Sequence, residues 1–141
     1  MKPDLSGFWE LNPSKSNLVG PQLSRALLKL NHRDPELVDA MICGYPDGRT
    51  VLDVFEVQTT GEECVNTIRG VQMRSRAVWQ GEELMIESWA KVGERKVHFC
   101  DYWSLADGGA TLRMEHRGDD LAGQLAIFTR AADSSDQFED L

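Results

Sequence analysis

Asp101 and His116 form the sharpest chemical pair in this 141-residue chain. They flank the turn Asp107-Gly108-Gly109, and folding the chain back there sets them opposite one another. A carboxylate beside an imidazole raises the basicity of the ring and fixes its tautomer. Such a pair can hold a ligand hydroxyl or carboxylate, act as a general base, or form a plain buried ion pair. No nucleophile or oxyanion device accompanies it, so binding or structure is expected ahead of catalysis. An isomerase or cyclase using Asp101 and His116 on a sequestered apolar substrate is the enzymatic alternative.

Other chemistry is sparse. His32, His98 and His116 lack metal-ligand spacing, and His98 is expected to face outward. The acids in His116-Arg117-Gly118-Asp119-Asp120 read as a solvated turn. There is no phosphate-binding glycine loop and no Gly-x-Ser-x-Gly elbow. Cys43, Cys64 and Cys100 are odd in number and widely spaced, which suits reduced thiols better than a disulfide frame or a zinc site. No metal or cofactor is expected.

The elements that must position the pair are strands. Glycine-bearing turns recur about every ten to fourteen residues, the rhythm of an antiparallel meander. Strands are predicted near 5–11, 23–33, 36–44, 50–58, 63–69, 72–80, 83–92, 95–105, 111–117 and 124–130. Asn12 to Gln22 reads as a loop with room for one serine-capped helical turn. Residues 1–132 are expected to form one barrel, and 133–141 an acidic, disordered tail.

Hairpin bookkeeping separates the inside from the outside. With Gly81-Glu82 as a two-residue loop, Trp79 faces Leu84, Ala77 faces Ile86 and Ser75 faces Ser88. The opposite face pairs Arg76 with Glu87 and Arg74 with Trp89, which marks the solvent side. The Gly93-Glu94 loop then sets Ser88 against Phe99, Ile86 against Asp101 and Leu84 against Trp103. The next turn sets Trp103 against Met114 and Asp101 against His116. Carried backward, the Gly70-Val71 turn places Asn66 by Ser75 and Cys64 by Ala77. The Thr60-Gly61 turn places Phe55 by Asn66 and Val57 by Cys64.

One face thus stays inward along successive strands, and a slip of one residue would invert it. The ligand-lining candidates are Phe55, Asn66, Ser75, Ala77, Trp79, Ile86, Ser88, Phe99, Asp101, Trp103, Met114 and His116. Unpaired polar groups in a filled core cost a few kcal/mol each, so a polar band here favours a hollow barrel. The same groups could also satisfy one another or hold internal water. The alternative is a filled structural or dimerising barrel with no ligand.

Composition narrows the partners. With 41% hydrophobic and 27% charged residues the chain is ordinary for a globular protein. A net charge of −8 argues against a nucleic-acid partner. No apolar run reaches the roughly 20 residues of a membrane span. The opening residues carry no apolar signal region, so the expected compartment is the cytoplasm, although a removed signal peptide would leave the same sequence. The outward residues Met85, Trp89 and Tyr102 offer a modest apolar patch for a homodimer.

The segment Ser6-Gly7-Phe8-Trp9-Glu10-Leu11 resembles the Gly-x-Trp first strand of lipocalins and fatty-acid-binding proteins, the calycin group. The resemblance implies a lipocalin-like, all-β, antiparallel up-and-down barrel of about 8–10 strands. It also implies structural roles for Trp9, at the closed end, and for Arg130, packed across it. The chain is further similar to uncharacterised bacterial lipocalin-like proteins at Leu11-Asn12-Pro13-Ser14-Lys15-Ser16, Asn66-Thr67-Ile68-Arg69-Gly70 and His116 to Gly123. The expected partner is a small apolar or amphiphilic molecule. Two features depart from fatty-acid-binding proteins. Asn12 to Gln22 is too short and broken for their helical lid, and Phe128-Thr129-Arg130 does not match their Arg-x-Tyr carboxylate clamp.

Overall fold

The computed structural model describes residues 2–20, 23–118, 123–133 and 137–138. Ten antiparallel strands follow in chain order: β1 (Gly7–Leu11), β2 (Arg25–Arg33), β3 (Glu36–Gly44), β4 (Thr50–Gln58), β5 (Cys64–Ile68), β6 (Val71–Gln80), β7 (Glu83–Val92), β8 (Arg95–Ala106), β9 (Thr111–Arg117) and β10 (Gln124–Arg130). They make one sheet in the order β4-β3-β2-β1-β10-β9-β8-β7-β6-β5. The sheet curls into a nearly closed up-and-down barrel, with β4 and β5 at its two edges.

Every strand pairs with its sequence neighbours except β4 and β5, and the first and last strands also pair, which joins the ends of the chain through Trp9 opposite Arg130. The expected registers hold across β6–β7, β7–β8 and β8–β9, with Ser75 opposite Ser88, Ser88 opposite Phe99, and Asp101 opposite His116. Period-two alternation turns Ala26, Leu28, Leu30 and His32 inward on β2, and Leu37, Asp39 and Cys43 inward on β3.

Two registers differ from the sequence reading. The β5–β6 loop is Arg69-Gly70 rather than Gly70-Val71, so Asn66 lies opposite Met73 and Cys64 opposite Ser75. Both loop residues have positive φ, 51° for Arg69 and 79° for Gly70. That is the demand of a tight primed turn. Arg69 tolerates it because Asp53 anchors its side chain, with Nη2 donating at 2.9 Å. A two-residue shift preserves which face points inward.

The second difference is at the seam. β4 and β5 form no ladder; past Gln58 the chain crosses toward β6, where Thr60 bridges Val78 and Gly61 N–H donates to Ala77 O at 2.9 Å. The seam is instead clasped by side chains, Arg69 on Asp53 near one end and Asn66 on the Glu56 backbone. The Asn66 amide accepts from Glu56 N–H at 2.9 Å and donates to Glu56 O at 2.8 Å, in the manner of a ladder pair.

The loop after β1 contains a single 3-10 turn, Pro13–Lys15. Its N-cap is Asn12 and makes no side-chain capping bond, so the serine cap is not formed. Ser14 instead donates to the Asn12 side chain, and Ser16 to the Asn12 carbonyl. Most of the acidic tail lies outside the described residues. Of those described, Gln137 bonds Arg25, and the Phe138 ring sits 6.2 Å from Phe8.

Candidate functional site

One end of the barrel is solid. Trp9, Leu5, Leu28 and Leu84 are fully buried there. Trp9 Nε1–H donates to Leu5 O at 3.1 Å, and the Arg130 guanidinium lies 4.0 Å from the centre of the indole. Arg130 also donates to Ser6 O at 2.5 Å and to Gly109 O at 3.1 Å. Gly7 has φ +137°, and a Cβ there would run into that guanidinium. The Gly-x-Trp pattern therefore makes room for the arginine that covers the tryptophan.

A second layer of the base centres on His32. Leu5 N–H donates to its Nδ1 at 3.0 Å, so the ring proton is on Nε2 and points to Asp34 at 3.1 Å. Asp34 also accepts from Thr59 Oγ1 at 2.8 Å and Trp79 Nε1 at 2.9 Å. Burial pushes the Asp34 carboxyl up, but the bonds from Trp79, His32 and Thr59 outweigh that and hold it below the usual aspartate range.

The other half is hollow. Two neighbouring lobes of about 250 and about 190 Å³ share a waist lined by Asp39, Met41, Asp101 and Trp103. The first lobe is walled by Leu11, Leu23, Ala26, Met114, Ala126 and Phe128, with His116. The second is walled by Phe55, Ile68, Met73, Ile86 and Phe99, with Ser88 and Asp53. Apolar walls with a few convergent polar groups are the usual make-up of a small-molecule site.

The polar groups differ in how they are held. His116 Nδ1–H donates to Asp101 Oδ1 at 2.7 Å, and its ring lies 4.8 Å from Phe99. Arg69 is held to both oxygens of Asp53 through Nε at 3.2 Å. The Ser75 and Ser88 hydroxyls bond each other at 2.7 Å, fully buried. Asp39 is only 8% exposed and has no hydrogen-bond or ion-pair partner among the described residues. Burial, with the charges of Asp101 and Asp53, pushes its carboxyl up to about 7.

Of the expected lining residues, Phe55, Ile86, Ser88, Phe99, Asp101, Trp103, Met114 and His116 border the lobes. Asn66, Ser75, Ala77 and Trp79 do not. Asn66 is committed to the Glu56 backbone, and Ser75 sits behind Ser88. Ala77 is sealed in the core, and the Trp79 indole belongs to the base, 5.8 Å from His32. Asp39, Met41 and Asp53 are lining residues that the sequence reading missed. A signal existed for Asp53: with Phe55 and Val57 inward, alternation along β4 turns Asp53 to the same face.

Outside the barrel, His98 is exposed and bonds Glu87 at 2.7 Å. The outward aromatic rings are covered by cations, Arg74 over Trp89 at 5.8 Å and Arg117 over Tyr102 at 4.6 Å. A groove of about 420 Å³ beside Trp89 is open to solvent and fringed by Arg74, Lys91, Lys96 and His98. Among the described residues no helix is long and apolar enough to cross a membrane.

The geometry defines an antiparallel up-and-down barrel with a plugged base and a hollow interior. No known sequence family and no curated protein matches the chain. Solved structures share its fold. The REP1-NXSQ fatty acid transporter superposes with a TM-score of 0.63 at 14% identity, over 92% of this chain and 98% of that one. Secretory abundant heat soluble protein 4 from Ramazzottius varieornatus gives a TM-score of 0.57 at 12% identity, over 91% and 95%.

Proposed function

We propose that the protein binds a small, largely apolar or amphiphilic molecule inside the barrel, oriented by the polar groups at the cavity waist. The observation that carries this reading is the unequal filling of one barrel. The base is packed and knit by hydrogen bonds, while the other half leaves a cavity with apolar walls and a buried carboxyl, Asp39, that has no partner among the described residues. A barrel serving only as a scaffold would gain from filling that volume. The fold shared with a fatty acid transporter supports a ligand of this general kind. The free thiols Cys43, Cys64 and Cys100 suit a reducing compartment such as the cytoplasm.

The test is titration with the neutral dye N-phenyl-1-naphthylamine, whose emission rises in apolar surroundings. One saturable site per chain is expected, and Ala126→Phe, which fills the first lobe, should abolish it while leaving the circular dichroism spectrum unchanged. Absence of saturable binding, or binding indifferent to Ala126→Phe, would reject the reading.

A further inference from the structure

The cavity can be read further through its charges, on the premise that it is a ligand site. Among the described residues, the acidic and basic side chains at the lobes or anchored to their walls are five, with the buried Cys43 thiol and the Tyr45 hydroxyl that bonds Arg69 close to them. Asp39 comes from β3, Asp53 from β4, Arg69 from the β5–β6 turn, Asp101 from β8 and His116 from β9. Both bases are engaged by acids. Arg69 forks onto Asp53 at 2.9–3.2 Å, and His116 holds Asp101 Oδ1 at 2.7 Å. That leaves Asp39 and Asp101 Oδ2 without a partner among the described residues. These two carboxyls share the waist between the lobes.

A ligand carboxylate would meet only acids and already committed bases at this waist. A neutral apolar ligand would leave Asp39 buried beside other acids and unanswered, which is unfavourable. A bare divalent ion fits poorly too. Among the described residues the one metal-like cluster of acids, histidines and cysteines is Glu87, His98 and Cys100, on the outer face. The group that answers two carboxyls with free acceptor oxygens beside apolar walls is an ammonium head on an apolar body.

We infer that the ligand is an amphiphilic amine, its protonated nitrogen held between Asp39 and Asp101 and its apolar part in the lobe walled by Leu11, Ala26, Met114 and Phe128. Asp39 is driven toward its neutral form in the free protein, up to about 7, and a bound cation would favour its ionised form.

Chain-matched octylamine, 1-octanol and octanoic acid, competing with N-phenyl-1-naphthylamine at pH 8, test this. Octylamine should displace the dye at concentrations about tenfold or more below octanol, with octanoate weakest. Asp39→Asn should erase the preference for the amine over octanol, and Asp101→Asn should reduce it. In the wild type, octylamine should bind more tightly at pH 8 than at pH 6, because Asp39 ionises while an alkylammonium stays charged. His116 and the Asp53–Arg69 pair also face the cavity, so the pH effect is read as the difference between wild type and Asp39→Asn. If octanol or octanoate matches the amine, or Asp39→Asn keeps the preference, the amine inference is wrong and a ligand cavity still stands. If the dye itself does not bind, the cavity reading fails and takes the inference with it.

Discussion

The two ends of this barrel handle polarity in opposite ways. At the base, the buried His32 and Trp9 rings find protein partners for their ring nitrogens, and the more exposed Asp34, Trp79 and Arg130 close over them. At the waist of the hollow half, Asp39 is as buried as His32, at 8% against 7%, yet it has no partner among the described residues. The same fold, with the same alternation, thus completes one network and leaves another open. A satisfied network gives a rigid plug. An open acceptor in an apolar cavity costs stability and is understandable where something else supplies the missing donor.

The largest expected effect is at the plug. Trp9→Ala removes a fully buried indole and the surface on which Arg130 lies, and should cost about 3–5 kcal/mol in urea unfolding. A loss below 1 kcal/mol, on the order of a surface change, would mean the base is not the packed half.

Asp39→Asn should act in the opposite direction. The Asp39 carboxyl stands at about 7 when folded and 3.8 in its ordinary state, so between pH 4 and pH 7 the unfolded chain binds fewer protons. Stability therefore falls as pH rises through that window and levels off above it. The substitution removes this penalty. It should stabilise the protein by as much as about 4 kcal/mol at pH 8 and by much less at pH 4, measured as urea midpoints. Equal effects at both pH values would show that Asp39 is not held in a hostile site.

Between the two regions lies the Ser75–Ser88 bond, buried and self-contained. Either Ser75→Ala or Ser88→Ala strands a hydroxyl and should cost about 1–2 kcal/mol, whereas the double variant should be closer to wild type than their sum. Simple additivity would break the claim that the two hydroxyls satisfy each other. The smallest effect is expected at the seam. Asn66→Ala should cost about 1 kcal/mol or less, yet speed hydrogen exchange of the Glu56 amide, which loses its acceptor. Unchanged exchange there would remove Asn66 as a clasp of β4 to β5.

How far the sequence could be read followed the turns. Gly81-Glu82 and Gly93-Glu94 are two-residue loops with little freedom, so the registers of β6, β7 and β8, and with them Asp101 opposite His116, were legible. At Arg69-Gly70 the left-handed residue is an arginine held in place from β4, and no local signal announces that. The seam was illegible for a related reason, because side chains replace a ladder. Asp39 went unseen since the loop from Tyr45 to Arg49 is long enough to leave the β3–β4 register open, and an isolated acid in an alternating strand reads as solvent-facing. Both acids missed, Asp39 and Asp53, lie on strands beyond the chain of tight turns. The open half was therefore harder to read than the plug, where Gly7, Trp9 and Arg130 carry a compact pattern.

The contrast between the two halves is tested most directly by carbon-13 methyl spectra recorded during titration with N-phenyl-1-naphthylamine. The methyls of Met41, Met73 and Met114, which border the lobes, should shift in a saturable way, while those of Leu5, Leu28 and Leu30 in the base stay fixed. Shifts confined to the outer face, or methionine signals that do not move at saturating dye, would contradict a ligand-binding interior.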